Sequence, residues 1–85
     1  MNQKRIAKEI VGKLVVTKEG KRVGLVKDIT FETRSGELIH LVLTSPTPYA
    51  QSLNVEQNKE GDLLIPFSSI LAIGDFVVVS EEDMR

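Results

Sequence analysis

The sequence predicts a mostly-β domain, a small β-barrel of about five to six short strands with a short N-terminal helix and a helical turn in its longest loop. Three observations carry that reading. Short β-branched runs alternate with turns that contain glycine. The most apolar stretch, residues 63–79 (LLIPFSSILAIGDFVVV), is broken by Pro66, a serine pair and a Gly-Asp step, which neither a buried helix nor a single strand tolerates. The apolar pattern of the second strand also slips by one residue, as it does where a strand bends.

With 85 residues the chain is expected to be one domain, 1–85, with its barrel core at about residues 10–80. A chain of this size buries only somewhat more than ~60% of its unfolded surface, so further burial by association is worth looking for. Cysteine is absent, which excludes disulfides, thiolate metal sites and thiol nucleophiles, and fits a cytoplasmic setting. No apolar run approaches a membrane span, and the N-terminus lacks the apolar stretch of a signal peptide. The expectation is a soluble, unprocessed protein without membrane insertion.

Residues 2–11 read as the helix, with Ile6 and Ile10 one turn apart and Gly12 placed to end it. Residues 13–17 (KLVVT) form a first strand, residues 18–21 (KEGK) a turn, and residues 23–32 (VGLVKDITFE) a long second strand. Keeping Val26, Ile29 and Phe31 all inside requires one extra residue near Lys27-Asp28, so a bulge is expected there. In the third strand, residues 37–44, Ile39, Leu41 and Leu43 form one apolar face. The other carries Leu38, His40 and Val42, too apolar for a solvated face, so something is expected to cover it.

Residues 45–62 are too long for a plain hairpin. Thr47-Pro48 supplies an N-cap and first helical position, with Tyr49 and Leu53 one turn apart to dock on the barrel mouth. In the broken apolar stretch, residues 63–65 extend into Pro66, residues 67–71 make a turn or 3₁₀ segment, and Gly74-Asp75 launches a last strand over residues 76–79. Residues 81–85 read as a solvated tail.

Catalytic groups are scarce. His40 is the one histidine, stands mid-strand and has no cysteine or second histidine with which to build a zinc site, so it reads as structural. Ser68-Ser69 lacks the flanking glycines of a nucleophile elbow and reads as a turn cap. Glu81, Glu82 and Asp83 lack the spacing of a calcium loop. Asp28 and Asp75 sit beside proposed bends, where a carboxylate accepts backbone N–H groups. No metal or organic cofactor is expected, and the protein is expected not to be an enzyme.

Charge is uneven along the chain: eight Lys and Arg residues precede Asp28, opposed there only by Glu9 and Glu19. Such a balance favours an anionic partner, although solvated hairpin lysines explain it as well. The four aromatics do not interleave with these residues, and three of them read as core, so no nucleic-acid stacking platform is assembled.

The order of Val11-Gly12-Lys13, then Gly24-Leu25-Val26-Lys27-Asp28, then Ile65-Pro66 and Gly74-Asp75 resembles the PRC-barrel family. That family is named for the cytoplasmic domain of a photosynthetic reaction-centre subunit and occurs also in the ribosome maturation factor RimM. The resemblance spans about residues 10–80 and implies structural roles for Gly12, Gly24, Asp28, Pro66, Gly74 and Asp75. On this reading the protein is expected to depart from the reaction-centre form in having no membrane helix and from RimM in lacking its preceding domain. It looks most like short stand-alone archaeal PRC-barrel proteins linked to cell division.

That likeness implies a non-catalytic adaptor in FtsZ-based division, cytoplasmic and recruited to the division site through the membrane-anchor protein SepF. The alternative it implies is an RNA- or ribosome-associated factor, in which Lys4, Arg5, Lys21 and Arg22 would contact phosphates. Apolar residues on both faces of two strands lead us to expect a homodimer, or a pair with a paralogous PRC-barrel protein, with Leu38, Val42, Val77 and Val79 at the interface. A partner is expected at an exposed strand edge or at the loop carrying Tyr49 and Leu53, although Tyr49 serves equally well as a plug of the barrel mouth.

Overall fold

In a computed structural model residues 3–84 are described, with side chains from Ala7 onward. Helix α1 (Gln3–Ile10) leads into strands β1 (Leu14–Thr17), β2 (Arg22–Phe31) and β3 (Leu38–Thr44), then helix α2 (Pro48–Ser52) and strands β4 (Glu56–Gln57), β5 (Leu63–Pro66), β6 (Ile70–Ile73) and β7 (Val77–Val79). The seven strands form one sheet in the order β4-β5-β3-β2-β1-β7-β6, with β1 and β7 parallel and the other pairs antiparallel. The side chains of Ile6, Lys4 and Arg5, and all of Arg85, lie outside the described residues.

Topology forces this sheet to roll up. β5 and β6 stand five ladder steps apart, about 24 Å in a flat sheet, yet only the 3₁₀ turn Phe67–Ser69 joins them. Four Cα steps reach at most ~14 Å. The ends of the sheet must therefore approach each other, although β4 and β6 do not pair, so the barrel stays open at a seam. Pro66 supplies the extended residue before the turn, and the buried Ser69 hydroxyl donates to the Pro66 carbonyl at 2.7 Å. That corner is why the apolar run is broken where it is.

A single core fills the barrel, with Val15, Val23, Leu41, Leu43, Leu63, Ile65, Val77 and Val79 fully buried. Ile10 of α1 joins it, and α1 is tied to β2 because Gly12, at φ +91°, donates its N–H to the Val26 carbonyl at 2.7 Å. An L side chain rarely adopts that φ. Gly24 is required for space: a Cβ there would stand 2.9 Å from the Thr44 carbonyl oxygen. Gly74, by contrast, has open space at its Cβ and no positive φ, so its backbone conformation does not demand glycine.

The bulge expected in the second strand is present. Val26 faces Leu43 and Asp28 faces Val42, leaving Lys27 as the extra residue, and Val26 and Ile29 are both buried. The Asp28 carboxylate accepts the Ile29 N–H at 2.8 Å. A second irregularity changes the rest of the pattern: His40 faces Thr30 and Leu38 faces Phe31, so Ile39 is the extra residue of β3. Ile39 is exposed rather than on the Leu41 face, and Leu38 turns to pack against the core. Phe31 lies beyond the end of the core and is also exposed, as is Phe76, so two of the three aromatics expected inside are at the surface.

Helix α2 forms as the Thr47-Pro48 step predicts, with the Thr47 hydroxyl accepting the Ala50 N–H at 3.1 Å. The same hydroxyl donates to the Arg22 carbonyl at 2.7 Å, fixing the helix to the start of β2. Two expectations need correction. Residues 70–71, expected as the end of a turn, open strand β6, which runs on to Ile73. The segment read as a solvated tail makes a 3₁₀ turn, Glu81–Asp83, that sinks Met84 into the core at 1% exposure.

Candidate functional site

Outward-facing residues divide into two regions. On β2, β1 and β7 the ladders align Leu25 with Leu14 and Val16 with Val78, and β6 adds Ala72 beside Val78. Val77 faces Val15, which places Phe76 beside Leu14 one step back along the parallel ladder. Leu25, Leu71 and Phe76 are each 38–55% exposed and Ala72 is exposed beside them, whereas Ile73, though exposed at the sheet edge, pairs with the buried Val77 and stands on the inner side. The result is a continuous apolar surface bordered by Lys13, Arg22 and Asp75. Lys13 supports its margin by donating from Nζ to the Gly74 carbonyl. Apolar patches with a polar rim mark interaction sites on small soluble domains.

The other region, on β2, β3, β5 and β4, is closed by the chain itself. Asp28, Val42, Leu64 and Glu56 form one outward row. From its bulge on β2, Lys27 reaches Asp62 at the foot of β5, with Nζ 2.9 Å from Oδ2. β3 stands between those strands, so the Lys27 stem must cross its outer side beside Val42. Long lysine stems cover apolar surface in this way.

Asp62 is nearly buried and is held by Asn58, whose Oδ1 accepts its N–H at 3.0 Å. Its hydrogen bond from Lys27 keeps the Asp62 carboxyl below the ordinary carboxylate pKa, and the same bond followed by the Asp62 charge raises the Lys27 ammonium above the ordinary lysine value. Of the face carrying Leu38, His40 and Val42, the bulge at Ile39 turns Leu38 to the core, the Lys27–Asp62 pair spans the strand beside Val42, and His40 is left at the cleft described next.

At the lower end of this region a cleft of about 310 Å³ opens between the chain entering β4 and the outer side of β5. Val55, Leu64, Pro66 and Met84 make it apolar; His40, Asn54 and Glu56 supply its polar groups. His40 is half-buried, its N–H donating to the Thr30 hydroxyl at 3.1 Å. Among the described residues there is no group of three or more His, Cys, Asp or Glu side chains able to hold a metal ion, and no helix is long and apolar enough to cross a membrane.

The profile of the PRC-barrel domain family matches residues 3–84. The chain belongs to the PRC-barrel family. An uncharacterized protein of the archaeon Methanocaldococcus jannaschii is 29% identical to it over 83 residues, covering 98% of this chain and 89% of that protein. Within the PRC-barrel frame the motif residues have separate physical roles. Gly12 and Gly24 serve backbone conformation and close approach, Asp28 caps the bulge, and Pro66 turns the corner.

The residues proposed for a dimer interface fare unevenly. Val77 and Val79 are fully buried in this chain's own core, Leu38 packs against that core, and Val42 is only 8% exposed, so these four do not form an apolar surface. The outward residues of the last strand are their neighbours, Phe76 and Val78. Strict alternation in FVVV leaves the choice of face open, and the parallel pairing of Val77 with Val15 decides it. Leu53 also packs against the core, and the half-buried Tyr49 ring lies under Lys21, whose Nζ is 4.6 Å from its centroid. That arrangement serves the plug role. The signal for the apolar surface lay in residues 70–73 (ILAI), legible only once they form a strand at the sheet edge.

Proposed function

We propose that this PRC-barrel protein is a non-catalytic interaction adaptor that pairs with a second copy, or with a paralogous PRC-barrel protein, through the outer side of β6, β7, β1 and β2. In this reading it serves FtsZ-based division in an archaeon, is cytoplasmic, and reaches the division site by contact with the anchor protein SepF. The observation that carries the interaction role is the uncharged apolar surface of Leu25, Leu71, Ala72 and Phe76, which ends on an unpaired strand edge. Exposed strand edges and desolvated aromatic residues are what protein partners recognise. The division context rests on the family resemblance. Non-catalytic action accords with the sparse inventory of nucleophiles, bases and metal ligands.

Titration of the purified protein against SepF and against a structured RNA, each at low and raised salt, tests the reading. Saturable SepF binding with weak salt dependence is expected, because apolar and backbone contacts are little screened. Tight RNA binding that falls steeply with salt and is lost on charge reversal of Lys4, Arg5, Lys21 and Arg22 would overturn it. Lys21 already lies over the Tyr49 ring, which leaves that aromatic poorly placed to stack on a base.

A further inference from the structure

We infer that the cleft between the Asn54–Glu56 segment and β5 is a second contact site, one that takes a lysine or arginine side chain from an extended segment of the protein partner; this rests on the adaptor reading above. The pairing surface and the cleft share no side chain, even though the rolled sheet brings β6 close to β5. Separate side chains can therefore hold a second copy and a partner.

The lining selects the occupant. Val55, Leu64, Pro66 and Met84 give an apolar trough suited to an aliphatic stem, and the formally charged side chain among the lining residues is Glu56. Glu56 is exposed, and the Asn54 amide oxygen and His40 ring offer further polar contacts nearby. An apolar trough ending in a carboxylate complements a cationic side chain with a long stem. Glu56 also belongs to β4, an edge strand with no strand on its outer side, so an extended segment running along that edge brings alternate side chains toward the cleft. The volume, about 310 Å³, suits one long side chain with its flanking backbone rather than a folded element.

The experiment is an amide chemical-shift titration of the full chain with the capped peptide acetyl-Thr-Val-Arg-Val-Thr-amide and its citrulline counterpart, which keeps the shape of arginine without the charge. Saturable shifts are expected at His40, Asn54, Val55, Glu56, Leu64 and Met84. Affinity should fall about fivefold with citrulline, and by a similar factor for the arginine peptide on Glu56→Gln, the scale of one exposed ion pair. Equal binding of the two peptides, shifts confined to other surfaces, or no saturable shift at millimolar peptide would each overturn the assignment. The citrulline comparison holds even if the variant folds poorly. Light scattering on the same samples separates the two claims: failure at the cleft in an intact dimer removes the cleft alone, whereas a monomer that still binds the arginine peptide removes the pairing surface alone.

Discussion

The two edges of the sheet are built from opposite materials. β4 is two residues long, Glu56 and Gln57, and runs into Asn58-Lys59-Glu60, so its outer side carries charge. β6 is Ile-Leu-Ala-Ile, with three of its four residues exposed and none charged. A short, charged edge disfavours pairing with a second copy, whose edge carries the same charges, whereas an apolar edge invites it. The outer faces beside the edges follow the same division. Lys27 and Asp62 close the face next to β5, while Leu25, Phe76 and Val78 leave the face next to β6 open. A domain this small cannot cover both sides of its sheet, and the contrast shows which side it covers with its own side chains.

The largest expected effect contrasts two neighbours on either side of that division. Val77→Asp buries an unpaired carboxylate among fully buried residues and should abolish folding, a loss of more than about 4 kcal/mol. Phe76→Asp, one residue earlier and half-exposed, should remain folded and lose only the stabilisation that pairing supplies, about 1–2 kcal/mol at micromolar concentration. Denaturant unfolding of both variants checks this, and equal losses would erase the distinction between core and surface in the last strand.

Gly24→Ala should cost about 1–3 kcal/mol, because the added methyl meets a backbone carbonyl on β3 that cannot easily move. Thr47→Ala removes the cap of α2 and should cost about 1 kcal/mol by the same measurement.

A pH series sharpens the account of the closed face. Asp62 has a lowered pKa when folded, so its contribution is fully present above the ordinary carboxylate value and disappears as pH falls through the folded value. Lys27 is raised, so its contribution is present below the ordinary lysine value and is lost only as pH rises through the still higher folded value. Acidification through and below the carboxylate range should therefore lower Tm more in wild type than in Lys27→Met, which keeps the stem over β3 but has no charge to pair. Parallel curves for the two proteins would show that the pair does not couple stability to pH.

The bulge at Lys27, the capped helix at Thr47-Pro48 and the corner at Pro66 were legible in the sequence because each is a local rule expressed in adjacent residues. The second bulge was not. Nothing in LIHLV marks Ile39 as extra, and its displacement carries Leu38 from one face to the other. The facing of FVVV and the strand at ILAI were equally hidden, since both depend on the parallel pairing of β7 with β1, two segments separated by most of the chain. The burial of Met84 escaped notice because one methionine after three acids carries no periodicity. The cover over Val42 was expected, but as a second chain rather than as a lysine stem. Sequence alone thus revealed the corners of the barrel more readily than the surface it presents.

The pairing claim is tested most directly by the solution mass of the wild-type protein and of Phe76→Asp, measured side by side by light scattering at micromolar concentration. Wild type should be a dimer and the variant a folded monomer, the variant's fold being confirmed by a single cooperative unfolding transition at a lower midpoint than the dimer's. A wild-type monomer, or a dimer untouched by Phe76→Asp, would contradict it.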